Sequence, residues 1–187
     1  MLKLRILILL LAPFVLSSLI SIQRDEFKKD VDAYVDLLLS SYDNTNETYS
    51  GKGNAIFLHS NVRAKWKKEI SLKHKSNAAN DLTKYPKLYY GFYQFSSKKK
   101  CKLAVDSLLN CFGNDCVEIK WGENKDFISS ISSINIINDY EIIVCKAQPI
   151  YELEFWFSIT SELTRKFKKP NSRIIRIDPK GVITFEN

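Results

Sequence analysis

The changes of apolar period between Leu88 and Asn187 constrain the fold more than any other feature of this chain. Leu88–Phe95 (LYYGFYQF) is rich in aromatic residues and is bounded by Pro86 and by Ser96-Ser97, which predicts a strand. Ser97 can cap the helix that follows. In that helix Cys101, Ala104, Val105, Leu108, Cys111 and Phe112 fall on one face, and Gly113-Asn114 ends it. Val117, Ile119 and Trp121 alternate with Glu118 and Lys120, the pattern of a half-buried strand, and residues 122–132 read as loop. Ile134–Ile137 and Glu141–Ala147 are β-rich runs joined around Asn138-Asp139, a hairpin pattern. Pro149 opens a second helix whose buried face is Leu153, Trp156, Phe157, Thr160, Leu163 and Phe167. Glu152 and Glu154 lie near its start, Arg165, Lys166, Lys168 and Lys169 near its end, and Pro170 stops it. That charge order suits the helix dipole. Arg173–Ile177 and Val182–Glu186 then flank a turn, Asp178-Pro179-Lys180-Gly181.

This order predicts an α+β fold, and it resembles the ferredoxin-like, split βαβ arrangement. The resemblance implies an antiparallel sheet with two helices packed on one face. It is a resemblance of element order and carries no functional motif with it. Residues 22–187 are expected to form one domain, with 88–187 as its βαββαβ-like core and 22–87 as an N-terminal extension. In the extension, Phe27, Val31, Tyr34, Val35 and Leu38 mark one face of a helix over Arg24–Ser40. Residues 41–54 read as a polar loop and Ala55–His59 as a short strand. Asn61–Lys75 is assigned as helix from the spacing of Val62, Trp66 and Ile70, against the strand-like alternation of Ile70 and Leu72. Residues 76–87 read as a connector.

The chain has 187 residues, is 45% hydrophobic and contains 6 Gly and 5 Pro, which excludes disordered, collagen-like and low-complexity classes. Its start, MLKLRILILLLAPFVLSSLIS, has basic Lys3 and Arg5, an apolar run from Ile6 to Leu16, and a small polar end. That layout is an export signal over residues 1–21, with cleavage expected after Ser21 and a cut after Ser18 as the second choice. The alternative is an uncleaved signal anchor, since Ile6–Ile22 reaches the short limit of a spanning helix. Loss of Lys3 and Arg5 lowers the formal charge from +7 to +5, a balance suited to solubility and to weak attraction to anionic surfaces. A periplasmic or extracellular location follows.

Four cysteines in an exported chain point to disulfides. Cys101 and Cys111 stand ten residues apart on one helix, about 15 Å along its axis, beyond the reach of a bridge. The expected pairs are Cys111–Cys116 as a clasp at the helix end and Cys101–Cys145 as a tie from helix to sheet, with Cys101–Cys116 and Cys111–Cys145 as the other pairing. No cysteine pair has the spacing of a zinc or redox site, so no metal or cofactor is expected.

His59 and His74 are the only histidines, and no nucleophile or phosphate-loop motif surrounds either. The sharpest charge feature is Arg63, Lys65, Lys67, Lys68, Lys73 and Lys75 around Trp66, read as a solvated basic face able to touch anionic surfaces. An exported protein seldom meets RNA, so nucleic acid is set aside as a partner. The resulting expectation is a non-enzymatic, disulfide-stabilised module that binds a protein or cell-envelope component. The alternative is a hydrolase whose site gathers scattered residues such as His59, Glu123 and Asp126.

Overall fold

A computed structural model describes residues 25–45, 63–75, 87–112, 117–123, 132–147 and 153–187. The chain divides into two compact units, residues 1–41 and 42–187. In the first, helix α1 covers residues 25–41, and Phe27, Val31, Tyr34, Val35 and Leu38 are all buried, as their 3.6-residue spacing predicts.

The second unit is built on one seven-stranded antiparallel sheet. Its strands are β1 (Tyr42–Asn44), β2 (Trp66–His74), β3 (Leu88–Gln94), β4 (Ser132–Ile137), β5 (Glu141–Ala147), β6 (Arg173–Ile177) and β7 (Ile183–Glu186), in spatial order β1-β2-β3-β5-β4-β6-β7. Helix α2 (Lys98–Asn110) links β3 towards β4, and helix α3 (Leu153–Phe167) links β5 towards β6. The turn between β6 and β7 takes the form its residues demand. The Asp178 carboxylate accepts from the amides of Lys180 and Val182 at 2.8 and 2.9 Å, and Gly181 takes the positive φ of 82° that a side chain would resist.

The α+β class is correct, but the sheet is larger than the ferredoxin-like expectation and its order differs. In that arrangement β6 would lie beside β3; here it pairs with β4, Ile136 opposite Ile174 and Asn135 opposite Ile175. Both crossovers, β3 to β4 and β5 to β6, therefore step the same way across the sheet. They leave strands of opposite sense, because β3 and β5 are antiparallel. Right-handed crossovers of this kind put the two helices on opposite faces.

Packing agrees. Cys101, Ala104, Val105 and Leu108 of α2 share a core with Tyr93, Ile137, Ile142, Val144, Ile175 and Ile177. On the other face the Phe167 ring of α3 meets Phe92 at 5.6 Å between centroids, and Arg176 donates to Thr164 Oγ1 at 3.2 Å. Phe92 and Arg176 are chain neighbours of Tyr93 and Ile175, and neighbours in a strand point to opposite faces. The expectation of two helices on one face is thus corrected. The central strands β4 and β5 are buried along their whole length because both faces are covered.

Three further readings change. Residues 66–74 are strand, paired with β3 from Trp66 opposite Gln94 to Leu72 opposite Leu88. The four-residue spacing of Val62, Trp66 and Ile70 is even, so it puts them on one side of a strand as readily as on one side of a helix. Val117–Trp121 is not a strand. Phe112 and Val117 form an isolated bridge, and the Ile119 amide donates to Leu109 O at 2.8 Å, so the segment folds back on the end of α2. Finally, Phe157 is 56% exposed although its helix position suggested burial; Trp156, Thr160, Leu163 and Phe167 form the buried stripe. The strand expected over Ala55–His59 lies outside the described residues.

Candidate functional site: a basic cleft at the start of α2

Asn138 is the post around which the candidate site is built. It follows β4, is 5% exposed, and has every polar atom engaged. Its amide donates to Glu141 O at 2.8 Å, closing the turn between β4 and β5. Its Nδ2 donates to Phe167 O at 3.2 Å, and its Oδ1 accepts from Ser172 Oγ. Its carbonyl accepts from Cys101 Sγ at 3.4 Å. Lys169 adds an ion pair to the buried carboxylate of Glu141 at 2.8 Å. One residue thus ties the hairpin, the end of α3 and the first turns of α2 together, and such satisfied buried networks rigidify their surroundings.

Beside this post opens a cleft of about 520 Å³, lined by Lys98, Lys99, Cys101, Lys102, Val105, Ile137, Asn138, Asp139, Asn171 and Arg173. The Ser97 hydroxyl caps α2 by accepting from the Lys100 amide at 3.3 Å. Lysines 98, 99 and 100 follow, and no acidic residue lies in the first turn. Three cations at the positive end of a helix oppose the macrodipole, so this local arrangement is electrostatically adverse. Asp139 relieves part of it. Its carboxylate holds the Lys98 ammonium at 2.5 Å and keeps that lysine above its ordinary range. Among the described residues Lys99, Lys102 and Arg173 have no carboxylate partner.

Arg173 reaches the cleft because β6 pairs Arg173 with Ile137, on the α2 side of the sheet. Its guanidinium lies 4.9 Å from the ring centroid of Trp121, whose ring packs in turn on Phe185 at 5.0 Å. The floor is apolar, with Val105 and Ile137. Cys101 also lines it, and burial pushes that thiol up to about 12, with the Glu141 charge adding to the effect. A thiol held protonated is a poor nucleophile and a poor metal ligand.

Of the residues singled out from sequence, Cys101 lines the cleft and the others named below do not. Cys101 and Cys145 are free thiols, so the expected bridge between them is corrected. Val144 faces α2, so Cys145 faces α3, and the sheet separates the two sulfurs. Burial also pushes the Cys145 thiol up to about 12. Cys116 lies outside the described residues, and so does the proposed clasp with Cys111. The Phe112–Val117 bridge does bring the ends of that loop together, at 2.8 and 3.0 Å.

The basic segment is split by strand alternation. Lys67 and Lys73 share a side with Glu69, which accepts from Tyr93 Oη at 2.7 Å, while Lys68 lies on the other side with Ile70 and Leu72. Lys67 pairs with Glu69 at 3.1 Å. Arg63, Lys65 and Lys75 lie beyond the strand ends. Of the alternative hydrolytic set, His59 and Asp126 lie outside the described residues, and Glu123 is a half-buried partner of Lys120 at 3.9 Å. His74, at the end of β2, packs edge-on against Tyr42 of β1.

Sequence reasoning missed the cleft. The signal was the Lys98-Lys99-Lys100-Cys101-Lys102 run at a helix start, where acidic residues are the rule. The contributions of Arg173 and Trp121 had no local signal, because only the strand order brings them to α2. Among the described residues no helix is long and apolar enough to cross a membrane, and no cluster of three metal-ligating side chains is present. Comparisons with protein-family models, with curated proteins and with solved structures find no match to this chain.

Proposed function

We propose that this chain is an exported, non-enzymatic binding module whose basic cleft takes an anionic group displayed on a cell-envelope component. The observation that carries this reading is the trio Lys99, Lys102 and Arg173, three cations without a carboxylate partner among the described residues, around one cleft of about 520 Å³. That volume lies in the range of small-ligand sites. Like charges gathered at the adverse end of a helix are stabilised by a bound anion more than by any neutral ligand. Binding is favoured over turnover by the state of the groups lining the cleft. Cys101 is held protonated, and Asp139 is committed to Lys98.

The test is titration of the full chain with heparin as a model polyanion at low and physiological salt, comparing two charge-reversed variants. Lys99→Glu with Lys102→Glu should abolish most of the binding. Lys67→Glu with Lys73→Glu, on β2, should leave most of it. The opposite ranking would move the binding surface to the strand and overturn the cleft reading. Binding should also weaken as salt rises, since exposed charges are screened over about 8 Å at physiological strength.

A further inference from the structure

Resting on that cleft reading, we propose that the anionic group it takes is a phosphomonoester, with Arg173 as the residue that reads it. Three observations lead to this ligand class. The first is charge. Asp139 neutralises Lys98, which leaves Lys99, Lys102 and Arg173 to be matched. A carboxylate or a sulfate ester brings a single charge. A phosphomonoester carries about −1.5 to −2 near neutral pH and offers three terminal oxygens, one for each uncompensated cation.

The second is the state of Arg173. The guanidinium carbon lies over the Trp121 ring, 4.9 Å from its centroid, and Phe185 backs Trp121 at 5.0 Å. A guanidinium over an aromatic ring leaves N–H groups for a ligand, and its fork suits tetrahedral oxyanions through two parallel hydrogen bonds. The rigid network through Asn138 fixes the opposite wall, so the distance between Arg173 and α2 is preset. The third is room. The cleft is larger than a phosphate ion alone, and Val105 and Ile137 give it an apolar floor. The occupant is therefore an organic phosphate with a weakly polar body, not inorganic phosphate.

Three probes that share one body separate the possibilities: phenyl phosphate, phenyl sulfate and benzoate, titrated calorimetrically into the full chain. Phenyl phosphate should bind at least tenfold more tightly than the other two. Its affinity should rise between pH 5 and pH 7, as its second proton leaves near pH 6. Arg173→Lys keeps the charge and loses the fork, and should weaken phenyl phosphate at least tenfold while changing benzoate little. Circular dichroism confirms that the variant folds, and the unmodified protein's ranking of the three probes stands independently of it. Vesicles carrying phosphatidic acid, competed by soluble phenyl phosphate, distinguish a lipid headgroup from a soluble ester; competition in either arm supports the assignment. Equal affinity for phenyl phosphate and benzoate overturns the phosphomonoester and leaves the cleft reading in place. Binding that persists undiminished in the Lys99→Glu, Lys102→Glu variant overturns both.

Discussion

Lys146 shows how a buried charge contributes to the response of this molecule to pH. It lies on the α2 side of β5, between Tyr89 of β3 and Ser133 of β4 in register, and is 8% exposed. Burial lowers its ammonium from 10.5 to about 8. Below pH 8 both folded and unfolded states hold the proton, so the group adds no pH dependence there. Between about 8 and 10.5 the unfolded chain holds more protons than the folded one, so this contribution to stability rises with pH. The stability of the parent relative to a Lys146→Met variant should therefore rise by up to about 3 kcal/mol between pH 7 and pH 10. Urea unfolding at pH 7, 8, 9 and 10 measures it, and a gap that ignores pH would show that desolvation is not the cause. Cys101 and Cys145 act in the opposite direction at higher pH, since burial raises both thiols, but they are common to both proteins and cancel in the difference. Asn135 is the other costly residue in this layer. It is fully buried, and neither polar atom of its side-chain amide has a hydrogen-bond partner among the described residues, an arrangement that costs about 1–3 kcal/mol.

At the scale of elements, the placement of α2 and α3 on opposite faces divides the sheet into two cores that share only backbone. Phe92 and Phe167 meet on one side, and Leu108 belongs to the other. Truncation to Ala at any of the three should cost roughly 2–5 kcal/mol, as for other large buried side chains. Their couplings should differ. Phe92→Ala and Phe167→Ala together should fall short of additivity by about 1 kcal/mol, because the first already removes the ring contact. Phe92→Ala and Leu108→Ala should add to within about 0.5 kcal/mol. Strong coupling in the second pair would mean that the helices share a core after all. The same two-faced burial explains which elements were legible. β5 was placed at Glu141–Ala147 and β6 at Arg173–Ile177 from composition and flanking turns, and both stand. β2 was misread because even spacing serves both periods, and what decides it is hydrogen bonding to β1 and β3, residues remote in the chain.

For the molecule as a whole, export is an expectation of residues 1–21, which lie outside the described structure. Intact mass of the native protein should correspond to a chain beginning at Ile22; retention of Met1–Ser21 in a membrane fraction would instead identify an anchor. Sequence alone determined the local features. α1 and α2 follow from 3.6-residue apolar spacing, the β4–β5 and β6–β7 connections from their turn residues, and the end of α3 from its basic residues and Pro170. Each depends on interactions within a few residues, which the chain carries wherever it goes. The strand order was not determined that way. Whether β6 lies beside β3 or beside β4 leaves every local pattern unchanged, yet it decides whether the helices share a face. It also decides whether Cys101 can reach Cys145 and whether Arg173 meets the lysines of α2. Those are contacts between residues tens of positions apart, and their geometry exists only once the sheet has closed around its core, because strand pairing, not local propensity, sets which side chains become neighbours.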